Sequence, residues 1–410
     1  MKLLVVSQYY KPEPVSVSGV AEELVRRGHR VTVLTSVPNY PEGTVPDEYR
    51  NGRHRDEILD GVRVVRVPTI SRGRNLRGFN KVRRIGNYLS FPVMSLLAGG
   101  TLEGDYDCVL CFQFSPVLMA LPALRIARQS GIPCILWSFD LWPEDMLSGG
   151  MSRGGLPFRV MGFVSKKIYG AADMVAVTSP GFVEYFSERL GLKELRTSWL
   201  PQFAEDVFDL PSEGKVESGD AKAVFTFAGN VGGNQAVETI VRAASLVRNH
   251  GIHIWIAGSG SHLDECKRLA VECAAENVEF LGRLPLETMP ALYASSDALI
   301  LTLAKSHGGS LVPVYTIPRK FQSYIAAGKP VLCSAEGTVS EIVESEGCGI
   351  ACPAEDANRL AEAMDRFVEM PMDQREMMSA AARRLYDRQF SRERFFNDLE
   401  SLLIELAGGK

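Results

Sequence analysis

The stretch VAEELVRRGHRVTVLT, residues 20–35, decides the fold. Val20, Leu24 and Val25 form an apolar stripe at helical spacing, and Gly28 stops that helix. The β-branched run Val31–Thr35 then reads as a strand. The same strand signal recurs at Leu3–Ser7, Val64–Val67, Cys108–Phe112, Cys134–Trp137 and Met174–Thr178. Short runs that are apolar on both faces and separated by helical segments imply a parallel sheet covered on both sides. The fold class is therefore α/β.

The pattern restarts at Val224–Ala228 and continues through Ile252–Ala257, Val278–Leu281, Ala298–Leu303 and Pro330–Ser334. With 410 residues the chain suits two Rossmann-like domains. Between the halves, WLPQFAEDVFDLPSEGKVESGDAK (199–222) mixes proline and charge with no period. The junction falls near Leu200–Phe203, and Ser212–Asp220 reads as a surface loop. Expected boundaries are 1–202, 203–388 and a C-terminal helix over 389–410. In that helix Ser391 is a candidate N-cap, and Phe395, Leu399, Leu402 and Leu403 share one face.

Composition narrows the function. A net charge of -4 excludes a polycationic, nucleic-acid-binding chain, so any basic function is local. Cys108 and Cys111 form a C-x-x-C inside a strand rather than at a helix start, which suits buried free thiols and a reducing, cytoplasmic compartment. The opening MKLLVVSQYY reads as a buried strand, since its apolar run ends at Val6 and no cleavage site follows. No run approaches the roughly 18 apolar residues of a membrane span.

In such folds ligands bind beyond the carboxyl ends of the strands. Four junctions of the second half stand out. FAGNVGGNQAVETI places Gly229, Asn230, Gly232 and Gly233 after a strand, before a helix expected from Gln235. This is either an ordinary turn or a phosphate cradle. WIAGSG closes a strand with Gly258 and Gly260. FLGRLP carries Arg283, either solvated or near a base. In IPRKFQSYIAAGKPV, Pro318 suits a first helical turn that would contain Lys320. A cation there opposes the helix dipole unless an anion is bound.

The order of these four junctions resembles the retaining glycosyltransferases of family 4, which have the GT-B fold of two Rossmann-like domains facing a central cleft. The resemblance covers nearly the whole chain. SQYYKPEP, RRGHRVTVLTSVPNYPEG and SFDLWPED are similar to the subset that builds bacterial surface polysaccharides, including fucosamine and N-acetylhexosamine transferases. It implies a C-terminal helix that returns to the first domain. It implies a nucleotide diphosphate sugar as co-substrate, UDP-linked, with no metal and no other cofactor. Gly229, Asn230, Gly232 and Gly258 would line the sugar-diphosphate, Arg283 would hold the nucleoside, and Arg319 and Lys320 would neutralise phosphate, Lys320 catalytically. The family's paired glutamates fall here on Tyr315 and Ser323, and the cations that often follow the first glycine turn are missing between Asn230 and Gln235.

In the first half, Asp140 either caps a following helix or positions and deprotonates an acceptor hydroxyl as the catalytic base. Glu144 is the alternative carboxylate, and Ser16, Ser18 and Gly19 follow the first strand and are acceptor-side candidates. His307 is a further cleft candidate. The basic run Arg72, Arg74, Arg77, Lys81, Arg83 and Arg84 precedes an apolar run to Leu97. Residues 72–97 suit either an anionic membrane surface at the inner face of the plasma membrane or a solvated loop with a core helix, and Pro92 argues against one straight helix. The expected reaction is hexosyl or N-acetylhexosaminyl transfer to a lipid-linked oligosaccharide. A nucleotide-sugar epimerase and a non-catalytic nucleotide-sugar-binding subunit are the competing readings.

Overall fold

The computed structural model describes residues 1–73, 79–98, 102, 105–209, 222–306 and 308–408. Ser212–Asp220, Arg74, Arg77 and His307 lie outside the described residues.

Two doubly wound sheets carry the molecule. The first comprises β1 (Lys2–Val6), β2 (Arg30–Ser36), β3 (Asp56–Leu59), β4 (Val62–Val67), β5 (Cys108–Gln113), β6 (Cys134–Ser138), β7 (Met174–Val177) and β8 (Thr197–Trp199), in the order β3-β4-β2-β1-β5-β6-β7-β8. All its pairings are parallel except β3 with β4. The second comprises β9 (Ala223–Ala228), β10 (Ile252–Ala257), β11 (Val278–Gly282), β12 (Ala298–Thr302), β13 (Val331–Ser334) and β14 (Gly349–Cys352), in the parallel order β11-β10-β9-β12-β13-β14. The order reverses direction at β1 in one sheet and at β9 in the other, and those are the places where crevices open.

The strands expected from apolar runs all form. Three form without that signal. β3 is half-exposed and polar, β8 is short and only partly buried, and β14 has a glycine start. Cys108 and Cys111 are buried free thiols on β5.

The C-terminal helix, Arg392–Gly408, packs on the first sheet. Ser391 Oγ accepts from the Arg394 N–H at 3.3 Å, closing its start. Phe395, Phe396, Leu399 and Leu403 bury against Leu3, Val5 and Trp137. Each such side chain contributes about 1.5–3 kcal/mol. Arg27 adds ion pairs to Glu393 and Glu400. The helix thus holds the two halves in one assembly.

The helix Phe79–Leu97 runs through Pro92. Proline removes one N–H but leaves the turns on either side hydrogen-bonded.

Candidate active site

At the end of β9 the chain enters Gly229 (φ 147°), and at the end of β10 it enters Gly258 (φ 153°), conformations that glycine alone takes readily. A Cβ on Gly258 would lie 1.8 Å from the Gly229 carbonyl oxygen, and one on Gly260 would lie 2.2 Å from that of Val231. The two turns therefore pack backbone on backbone. With Asn230, Ser259, Arg283, Leu284 and Met289 they line a cavity of about 410 Å³. Gly229, Asn230, Gly258 and Arg283 thus come together as the sequence suggests. Gly232 does not join them. It is buried beside Asn230 Nδ2, because the chain turns away through Gly233–Gln235 before the helix begins at Glu238 rather than Gln235.

The packing of the turns uses up amides that could have faced an anion. The N–H groups of Gly229, Val231 and Gly258 donate to Ala257, Ser259 and Gly282 carbonyls. Lys320 brings positive charge to these turns. It sits in the first turn of the helix Arg319–Ala326, with Pro318 just before it. Its Nζ would be 3.4 Å from a Cβ on Gly229 and lies 3.8 Å from the Phe227 ring centroid. That Nζ is buried without a hydrogen-bond partner, and burial pushes its pKa down to about 7. A desolvated cation with only an aromatic face beside it is stabilised strongly by an anion.

On the same helix, Arg319 pairs with Glu205 at 3.2 Å, and Ser323 Oγ donates to Glu205 at 2.9 Å. Tyr315 packs between Tyr185 and Arg189. It is buried, with its ring edge-on to Tyr185 at 5.6 Å, and its carbonyl accepts from Ser179 Oγ.

A second cavity, of about 390 Å³, opens where the first sheet reverses at β1. It is bounded by Tyr9, Ser16, Tyr40, Arg72, Arg84, Tyr88, Ser115, Asp140 and Gln202, with Arg319 reaching in from the other half. Burial holds the Asp140 carboxyl above the usual carboxylate range, opposed by hydrogen bonds from the Ser115 hydroxyl and N–H. Asp140 does not cap a helix. The next one, Asp145–Ser148, has Glu144 at its N-cap position.

Three acceptor-side expectations need correction. Glu144 is fully buried, paired with Arg153 at 2.6 Å, and accepts from Tyr185 Oη and from the Leu311 N–H in the other half. Its lone pairs are spent clamping the halves together. Ser18 Oγ donates back to the Val15 carbonyl inside its own turn, and Gly19 is not among the residues bounding the cavity. Only Ser16 of that trio lines it. Conversely, Arg72 and Arg84, expected at a membrane surface, bound this cavity. Arg84 Nε donates to Tyr88 Oη at 2.7 Å, and the Arg72 guanidinium lies 5.3 Å from the Tyr40 ring. Glu13 supports that wall. Its buried carboxylate accepts from the Tyr10, Asn39 and Tyr40 N–H groups, and burial raises its pKa to about 7.

Two facing crevices, one with a buried cation and one with a raised carboxylate, define the architecture to be compared. Residues 14–201 match the family model described as glycosyl transferase 4-like domain, and residues 212–385 match glycosyl transferases group 1. The chain is a glycosyltransferase of the GT-B type. Among relatives of this glycosyltransferase, WbjE of Pseudomonas aeruginosa, assigned as a glycosyltransferase, is 28% identical over 62% of this chain and 64% of that one. WcaI of Escherichia coli K12, assigned to colanic acid biosynthesis as a glycosyl transferase, is 21% identical over 97% and 100%. In fold, the glycosyltransferase superposes on HepE of Anabaena, solved in complex with UDP, with a TM-score of 0.69, 13% identity and coverage of 99% and 100%.

Proposed function

We propose that the enzyme moves a hexosyl or N-acetylhexosaminyl group from a nucleotide diphosphate sugar, UDP-linked, to a lipid-linked oligosaccharide of surface-polysaccharide synthesis, with retention. The observation that carries the donor assignment is Lys320 Nζ, buried, unpaired and directed at the Gly229 turn. As the glycosidic bond breaks, charge gathers on the leaving diphosphate, and a fixed cation in a water-poor site lowers that barrier. UDP on HepE and the colanic acid assignment of WcaI support the nucleotide and the pathway class. Retention rests on the family resemblance.

The test is calorimetric titration with nucleotide diphosphate sugars. Free Lys320, with its pKa near 7, is largely neutral at about pH 8, and a bound diphosphate restores the ammonium. Binding at about pH 8 therefore takes up close to one proton, seen by comparing buffers of different ionisation heat, and takes up little at about pH 6. Failure of every such sugar to bind overturns the donor assignment.

On the acceptor side, Arg72 and Arg84 beside Asp140 suit the phosphate of a lipid diphosphate. Among the described residues no helix is long and apolar enough to cross a membrane. The helix Phe79–Leu97 nonetheless exposes Val82, Ile85, Leu89, Val93 and Leu97, and the helix Leu156–Tyr169 exposes Leu156, Val160 and Phe163. Both helices border one groove of about 950 Å³, through Leu96 and Lys167. Apolar residues at three- and four-residue spacing beside basic groups fit the surface of an anionic bilayer. Val82→Glu, Leu89→Glu and Val93→Glu together are expected to weaken binding to anionic liposomes at least about tenfold. Unchanged binding sinks the peripheral-membrane reading.

A further inference from the structure

Ser323 stands where the family resemblance leads one to expect a glutamate, yet a carboxylate occupies the space just beyond it. It belongs to Glu205, 118 residues earlier, on the segment that joins the two sheets. Glu205 Oε2 accepts from Ser323 Oγ at 2.9 Å, and Oε1 lies 3.2 Å from Arg319 Nη2. Arg319 and Ser323 are four residues apart and so share one face of the helix that presents Lys320. Arg319 bounds the β1-crevice cavity and the next residue, Lys320, faces the Gly229 turn, so the Glu205 carboxylate lies at the edge of the helix start that serves both cavities. The side chain keeps 24% of its surface open. Each carboxylate oxygen has two acceptor positions, and with one protein partner apiece both oxygens can still accept.

A carboxylate at this edge repels the diphosphate that Lys320 attracts, so its partner is a neutral donor group farther along the same ligand. Two adjacent hydroxyls meet two carboxylate oxygens well, and a carboxylate beyond the phosphate site is how nucleotide-binding sheets grip ribose. We infer that Glu205, delivered by the linker and held by Ser323 and Arg319, receives the ribose 2′- and 3′-hydroxyls of the donor nucleotide. The inference rests on the second-sheet cavity being the donor site. It gives the linker a direct part in donor recognition.

The test measures the dissociation constants of UDP and 2′,3′-dideoxy-UDP for the full-length wild type, Glu205→Gln, and the double variant Glu205→Ala with Ser323→Glu. The wild type is expected to prefer UDP about tenfold, and Glu205→Gln to lose that factor for UDP while binding the dideoxy compound as before. The double variant, which returns a carboxylate to the same place from the helix, is expected to regain the preference. A Glu205→Gln variant that weakens both ligands equally assigns Glu205 to mere bracing and overturns the inference. A wild type that binds UDP without preferring the hydroxyls also overturns it, while leaving the donor site standing. A wild type that binds neither removes the donor site and the inference together.

Discussion

Lys320→Met lowers kcat/KM by about 10²–10³-fold and makes the donor-free protein more resistant to heat. The two effects have one cause. Lys320 Nζ is buried with no hydrogen-bond partner, so the free enzyme holds a cation that has lost its water. Methionine keeps the length of the side chain and removes the charge. The sign with pH follows from linkage. The lysine pKa falls from 10.5 to about 7 on folding, so between those values the unfolded chain holds a proton that the native state lacks. The gain in melting temperature is therefore full below about pH 7 and shrinks as pH rises toward 10.5. A solvated lysine would show neither effect. Near wild-type kcat/KM in the variant, or a loss of stability, would falsify the assignment.

The parts of this site that the sequence made legible are backbone features. Gly229 and Gly258 stand at strand ends, where only glycine permits the approach of one turn to another, and Lys320 sits two residues after a helix-starting proline. Such signals are local and survive in one dimension. The Gly229 turn has one feature that the sequence does not reveal. The Gly229, Val231 and Gly258 N–H groups donate to carbonyls across β9, β10 and β11, which no single segment reveals. Beside that turn the buried, unpaired Lys320 Nζ supplies positive charge.

The illegible parts are long-range pairings. Glu144 looked like a cleft carboxylate in SFDLWPED, but Arg153 and the 309–311 backbone of the other half bury it. Glu205 lay in a stretch read as linker, and its contacts with Ser323 and Arg319 show where it points. Arg72 and Arg84 were read by charge as part of either a membrane surface or a solvated loop. Stacking and hydrogen bonding with Tyr40 and Tyr88 turn them toward Asp140 instead. The strands missed on the sheet edges, β3, β8 and β14, lack the double-sided burial that makes a run apolar.

Asp140→Asn is expected to lower kcat by about 10²–10⁴-fold with little change in the KM for the donor. Asp140 bounds the cavity at the β1 crevice and is not among the residues lining the one at the Gly229 turn, so donor affinity is expected to change little. Asparagine can still take the hydrogen bonds from Ser115 that orient the side chain, but it cannot accept a proton from an acceptor hydroxyl. Burial raises the Asp140 pKa, and nearby Asp145 is likewise raised well above the usual range, by burial first and then by the Asp140 charge. A base must be deprotonated to act, so wild-type kcat/KM falls as pH drops through a pKa above the ordinary carboxylate range. The variant's small residual rate loses that acidic limb. Retained activity in Asp140→Asn, with the limb intact, would assign the proton to another group. Donor binding with no turnover in the wild type would instead favour a non-catalytic subunit, for which Asp140 has no task.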